Sequence, residues 1–136
     1  MTANIEIAGM WELGWNTPIK EVDLWEMAMR EFAVQRLNMA PISGICCKWL
    51  HEYQSLHEIL EDRSQLTPVF VDEKGAVEIS DFSHPENALY VFGKGNWSPF
   101  NNLAKNHLSV RIDSDLPGML WPHQALALVL YFRRRK

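Results

Sequence analysis

A chain of 136 residues with a formal net charge of −4 is long enough for one domain with its own hydrophobic core and too short for two full-sized ones. Hydrophobic residues make up 47% of the chain and charged residues 22%, a globular composition that excludes a disordered protein. No apolar run approaches the roughly 18 residues that a membrane-spanning helix requires, so we expect no membrane partner.

The cysteines and histidines argue against disulfides and metal sites. Cys46 and Cys47 are adjacent, and neighbours in sequence rarely reach the geometry of a disulfide bond. We therefore expect a reduced, cytoplasmic setting. The histidines are scattered along the chain, and His51 and His57, the pair within one predicted helix, do not share a face of it. We expect no metal ion.

Hydrophobic periodicity and turn residues predict alternating strands and helices. In chain order the predicted elements are a strand at 4–10, a loop at 11–20, a helix at 22–36, a strand at 41–47, a helix at 51–63, a strand at 67–71, a turn at 72–75, a weakly extended segment at 76–82, a strand at 88–92, a helix at 98–106, a strand at 108–112 and a helix at 120–135. This alternation is typical of an α/β protein with a mainly parallel sheet flanked by helices. We expect a single domain over residues 1–136.

In such sheets ligands bind in the loops beyond the carboxyl ends of the strands. The loops that qualify lie at 11–20, 93–97 and 113–121. In the second of these loops, Gly93 and Gly95 allow a ligand to approach the backbone closely. The ligand can then accept hydrogen bonds from the backbone N–H groups. A tight turn explains the same glycines, and the spacing does not match the dinucleotide-binding fingerprint.

A basic run, Arg133, Arg134, Arg135 and Lys136, closes the chain. Such cations can contact nucleic-acid phosphates without reading the sequence of bases. They can equally form a solvated helix end that stabilises the helix dipole. The sequence leaves both interpretations open.

Two stretches in the last fifty or so residues of the chain resemble a known family. Residues 84–93 read His-Pro-Glu-Asn-Ala-Leu-Tyr-Val-Phe-Gly, and residues 117–120 read Pro-Gly-Met-Leu before an apolar helix that ends in Leu130-Tyr131. Together they resemble the SpoU/TrmH group of SPOUT RNA methyltransferases. The resemblance implies an α/β fold with a C-terminal trefoil knot, S-adenosylmethionine bound in the knot loops, a homodimer, and methylation of a ribose 2′-hydroxyl of tRNA or rRNA.

Carried over residue by residue, the resemblance implies a cofactor site at Phe92, Gly93, Gly95, Met119, Leu120 and His123. The family's first motif carries an asparagine and an arginine near the start of the first long helix, and the nearest such residues are Asn16 and Arg30, expected at the methyl-acceptor side. Alignment on Phe32-Ala33-Val34 puts Met27 at the arginine position. The glutamate of the second motif, and the asparagine and serine of the third, have no counterpart.

Two other functions fit parts of the sequence. The departures from the family motifs favour a non-catalytic member that serves as an RNA- or protein-binding dimer. The loop at 93–97, before a predicted helix N-terminus, is also compatible with a phosphate- or nucleotide-binding module. Affinity for S-adenosylmethionine distinguishes these alternatives from a methyltransferase.

Overall fold

A computed structural model describes residues 4–10, 18–93, 107–113 and 122–135. The strands in these residues are β1 (Ile5–Met10), β2 (Leu37–Ala40), β3 (Leu50–Glu52), β4 (Thr67–Val71), β5 (Val77–Glu78), β6 (Ala88–Phe92) and β7 (Leu108–Arg111). They form one sheet in the order β3-β2-β1-β6-β4-β7-β5, and the registered pairs are all parallel. The helices are α1 (Pro18–Glu31), α2 (Leu56–Asp62) and α3 (Pro122–Arg135), with a 3-10 turn at Ile79–Asp81. The predicted mainly parallel α/β sheet is confirmed.

Helices cover both faces of the centre of the sheet. α1 and α3 pack together on one face, where Trp25 and Leu126 belong to the larger core cluster. α2 covers the other face through Leu56 and Ile59. All five residues of β6 are buried, because this strand lies between β1 and β4 and beneath helices on both sides.

The predicted helix at 22–36 has different bounds in the structure. α1 begins at Pro18, inside the predicted loop at 11–20, because proline suits the first helical turn, where an N–H has no helical partner. α1 ends at Glu31 because the backbone turns at Ala33, which has a φ of 58°, and enters β2. The predicted end at Arg36 was wrong: parallel pairing with β1 requires residues 37–40 to be extended.

The predicted strand at 41–47 was also wrong. The ladder with β1 uses Leu37–Ala40, and the chain then leaves the sheet at Pro41, which has no N–H to donate. Ile42 is 56% exposed in the segment that follows. The predicted helix at 51–63 is shorter, because Leu50–Glu52 pairs with β2 and the Ser55 hydroxyl accepts the Glu58 N–H to cap α2.

The other predicted elements divide into two groups. The strands at 4–10, 67–71, 88–92 and 108–112, the turn at 72–75 and the final helix agree with the structure to within two residues where they are described. The predicted helix at 98–106 lies outside the described residues, as do residues 11–17, 94–106 and 114–121.

A carboxylate lies buried within the sheet. Glu6 on β1 is 4% exposed and forms a bidentate ion pair with Arg63 at the end of α2. The Asn38 amide donates to Glu6 Oε1 at 3.2 Å, and Arg36 Nε lies 3.3 Å from the same oxygen. The hydrogen bond to Glu6 raises the pKa of Arg63. This network ties β1, the start of β2 and the end of α2 to one another.

We predict that Arg63→Met lowers the free energy of unfolding by about 3 kcal/mol, because it leaves the Glu6 carboxylate buried with fewer partners. The matched control is Arg30→Met, which removes an exposed i, i+4 pair with Glu26 and costs less than about 0.5 kcal/mol. Urea unfolding measures both values. Equal losses in the two variants would contradict a supporting role for the Glu6 network.

Candidate functional site

The middle of the carboxyl edge of the sheet is formed by the end of β6. Phe92 is 2% exposed, pairs with Val71 on β4 and receives the Trp25 ring edge-on at a centroid distance of 5.6 Å. Gly93 follows Phe92 and is partly exposed. The packing of Phe92 therefore sets where the chain leaves the sheet, and Gly93 offers a backbone without a side chain at that point.

α3 begins at the same edge of the sheet. Its other end contacts residues that precede β6, so its first residues, Pro122 and His123, lie towards the carboxyl ends of the strands. His123 is half-buried, and burial lowers its pKa below the ordinary value of 6.5. At neutral pH the imidazole is therefore uncharged. The fold thus brings Phe92, Gly93 and His123 to one edge of the sheet.

Several predicted site residues lie outside the described residues: Asn16, Gly95, Met119, Leu120 and Lys136. Arg30 is described, and it lies on the last turn of α1, where it is exposed and pairs with Glu26. α1 leads into the start of β2, so Arg30 lies towards the amino edge of the sheet. Within one copy of the chain, the structure does not bring Arg30 to the edge that carries Gly93 and His123.

Arg133 points into the protein at the amino edge. Its Nη1 donates to the Pro85 carbonyl at 2.6 Å and to the Tyr90 hydroxyl at 2.9 Å, and its Nη2 donates to the Glu86 carbonyl at 3.0 Å. His84 Nδ1 lies 2.7 Å from the same hydroxyl. Burial raises the pKa of Tyr90. These contacts join α3 to the segment that precedes β6, a role that was not predicted from the sequence.

The next two arginines point outward beside aromatic rings. The Arg134 guanidinium carbon lies 5.9 Å from the centroid of the Phe32 ring, and that of Arg135 lies 5.8 Å from the centroid of the Tyr131 ring. Both arginines are exposed. The rings were not predicted as functional residues, although the i, i+4 spacing of Tyr131 and Arg135 on a helix places them side by side.

No group of three or more histidine, cysteine, aspartate or glutamate side chains among the described residues is placed to hold a metal ion. None of the helices described in the structure is long and apolar enough to cross a membrane.

We predict that Arg133→Ala lowers the free energy of unfolding by about 1–2 kcal/mol, because the buried Tyr90 hydroxyl loses its charged donor. Arg134→Ala serves as the control and changes stability by less than about 0.5 kcal/mol, since its side chain is exposed. Thermal and urea unfolding of both variants give the comparison. If Arg134→Ala cost as much as Arg133→Ala, the difference drawn between the two side chains would be wrong.

Comparisons with known proteins give matches in structure and none in sequence. No family model and no curated protein matches the chain. A Porphyromonas gingivalis protein assigned to the TrmH family of RNA methyltransferases matches with a TM-score of 0.72 at 14% identity, over 100% of this chain and 61% of its own. A structure that addresses 2-OH methylation of C/U34 on tRNA matches with a TM-score of 0.72 at 13% identity, over 98% of this chain and 95% of its own.

A third match carries a bound cofactor. The SpoU methyltransferase AviRb from Streptomyces viridochromogenes, in complex with AdoMet, has a TM-score of 0.67 at 13% identity over 99% of this chain and 58% of its own. The chain therefore spans about three fifths of the Porphyromonas and Streptomyces proteins and nearly the whole of the tRNA-related one. These matches cover the whole sheet and its helices, and they show that the chain has the fold of the SpoU/TrmH RNA methyltransferases.

Proposed function

We propose that this chain binds S-adenosylmethionine and transfers its methyl group to a ribose 2′-hydroxyl of tRNA or rRNA. The observation that carries the proposal is the match of nearly the entire chain to RNA methyltransferases, one of them bound to AdoMet and one concerned with 2-OH methylation of tRNA. We further propose that residues 1–136 form a single domain, that its C-terminal part is a trefoil knot, and that it acts in the cytoplasm as a homodimer.

The described residues fit the cofactor in two respects. Gly93 carries no side chain and is partly exposed, so a ligand could reach its backbone groups beside the buried Phe92. His123 is uncharged at neutral pH because burial lowers its pKa, so it adds no positive charge beside a sulfonium ion. When bound, the cofactor supplies an electrophilic methyl group on sulfur. The proposed site also includes Gly95, Met119 and Leu120.

The contribution of the chain to the reaction is chiefly orientation. A ribose oxygen that is held in line with the methyl carbon reacts faster, and correct alignment can supply several kcal/mol of the barrier reduction. β6 lies between β1 and β4, and Phe92 at its end pairs with Val71 and packs against the Trp25 ring, which fixes the point where the chain leaves the sheet.

Arg30 fits a role at the methyl-acceptor side only if it comes from a second copy of the chain. In its own copy it lies at the end of α1 away from Gly93, and it is paired with Glu26. In a homodimer, the end of α1 could reach the carboxyl edge of the partner's sheet. Arg30 would then lie beside the partner's cofactor site without changing its position in its own copy. We assign Asn16 to the same acceptor side.

A second function is a non-catalytic RNA- or protein-binding dimer. The observation that favours it is Met27, which occupies the position aligned with the family's motif arginine and is 65% exposed. A thioether cannot stabilise the charge that develops on a ribose oxygen, whereas a guanidinium can. This function predicts a protein that binds a macromolecule and transfers no methyl group.

We predict that calorimetric titration detects micromolar binding of S-adenosylmethionine, which corresponds to about −8 kcal/mol. Gly93→Leu should abolish the binding, because its side chain would fill the space beside the backbone. The control Ser64→Leu adds the same side chain at an exposed position after α2 and should bind normally. No heat and no thermal shift at millimolar cofactor would reject the methyltransferase in favour of the non-catalytic dimer.

We predict that Arg30→Ala and Gly93→Leu each abolish methyl transfer to total tRNA, and that mixed and reassembled subunits of the two variants regain activity. In the mixed dimer, one site combines an intact cofactor loop with Arg30 of the other copy. Methyl transfer from radiolabelled cofactor measures the recovery, and wild-type protein taken through the same unfolding and reassembly is the control. Activity that never returns on mixing would place Arg30 outside the partner's site.

A further inference from the structure

Most of the described arginines already have partners within the chain. In residues 4–10, 18–93, 107–113 and 122–135, five arginines donate to acidic side chains or backbone carbonyls: Arg30, Arg36, Arg63, Arg111 and Arg133. Arg134 and Arg135 have no acidic side chain of these residues within ion-pair distance. Among the described arginines, these two guanidinium groups are therefore the ones that an external anion can engage without breaking an internal ion pair or a hydrogen bond to a backbone carbonyl.

The two guanidinium groups are also held in place. Arg134 lies over the Phe32 ring and Arg135 lies over the Tyr131 ring, at 5.9 and 5.8 Å from the ring centroids. The Tyr131 ring in turn packs edge-on against Phe132 at 5.7 Å. An arginine stacked on an aromatic ring keeps its donors free and loses less side-chain entropy when it binds an anion.

We propose that Arg134 and Arg135, on their supporting rings Phe32 and Tyr131, form a clamp for two phosphates of an RNA backbone. This inference rests on the proposed function, because it names the contact through which the RNA substrate is held. Charge complementarity favours a polyanion as the ligand. The whole chain carries a net charge of −4, but these two outward-facing arginines form a local positive patch, and positive charge attracts phosphate groups.

The position of the clamp on the sheet sets its distance from the cofactor loops of the same copy. Arg133, next to the clamp, reaches the carbonyls of Pro85 and Glu86 before β6, so the clamp lies at the amino edge of the sheet. α3 has 14 residues and a length of about 20 Å, which separates the clamp from His123 of the same copy. The clamp therefore holds RNA at a distance from the cofactor loops of its own copy, and its loss leaves cofactor binding intact.

The test measures equilibrium binding of fluorescently labelled, unmodified tRNA transcripts at several salt concentrations. Arg134→Ala/Arg135→Ala should weaken binding at least tenfold and make the negative slope of log K against log salt shallower by about 2, since each phosphate contact contributes roughly −0.9. Lys48→Ala removes an exposed cation from the segment before β3 and is the control for the loss of a surface charge away from the clamp. It should change the affinity less than twofold.

The aromatic rings give a second, independent readout. Phe32→Leu and Tyr131→Leu keep both charges but remove the surfaces on which the guanidinium groups lie. They should weaken binding about threefold and leave the salt slope unchanged, because the number of phosphate contacts stays the same. If the ring variants bind tRNA as tightly as the wild type, the rings do not support the arginines in RNA binding.

The remaining outcomes test RNA binding by the clamp independently of the proposed methyltransferase activity. Wild-type protein that binds S-adenosylmethionine but no tRNA transcript, or a double variant with unchanged affinity and slope, overturns the clamp and leaves cofactor binding standing. Loss of tRNA binding in the double variant of a protein that binds no cofactor supports the clamp and rejects the enzyme. A double variant that changes the molar mass in light scattering, and not the tRNA affinity, would identify this surface as a contact between copies.

Discussion

A buried carboxylate constrains the arrangement of half of the sheet. Glu6 lies inside the face of the sheet covered by α2, where an isolated charge would be strongly destabilising. Its compensating groups come from three places: Arg63 at the end of α2, Arg36 at the entry to β2 and Asn38 within β2. Because these partners must converge on one carboxylate, the register of β2 on β1 and the position of α2 are fixed together.

The contacts of Arg36 extend this network to the edge of the sheet. Its Nη2 donates to the Tyr53 hydroxyl at 2.9 Å, and that hydroxyl donates to Asp62 on α2. His51 on β3 lies close enough that its pKa is lowered, first by burial and then by Arg36 and Arg63. This face of the protein is therefore stabilised by polar contacts near the amino edge and by apolar packing of Leu56 and Ile59 nearer the centre.

The two edges of the parallel sheet differ in chemistry. The described residues of the carboxyl edge include a glycine after a buried strand and an uncharged histidine at the start of a helix, which suits a small ligand that contacts backbone groups. At the amino edge the ends of α1 and α3 present Arg30, Arg134 and Arg135 to solvent. Since parallel strands direct all their carboxyl ends one way, this separation is a direct consequence of the topology.

Local pattern was sufficient to predict much of the fold. Five consecutive apolar residues at 88–92, bounded by turn residues, predicted the central strand correctly, because burial on both faces requires such a run. The strand at 41–47 failed for the opposite reason: its apolar residues satisfied the local pattern, but the hydrogen-bonding partner of β1 was the preceding segment. Pairing depends on residues distant in the chain, and periodicity carries no information about it.

Local pattern was also insufficient to predict contacts between distant residues in and around the candidate site. The local pattern predicted a loop with Gly93 after a buried strand, which is compatible with a ligand site or a tight turn. The resemblance to the SpoU/TrmH family added Phe92 to the expected cofactor site. The sequence also marked Arg133, Arg134 and Arg135 as one basic run. Only the tertiary structure divided that run, because the partners of Arg133 lie some 45 residues earlier in the chain, and the Phe32 ring beneath Arg134 belongs to the turn that follows α1. Which charges face inward and which face solvent is decided by packing between distant segments.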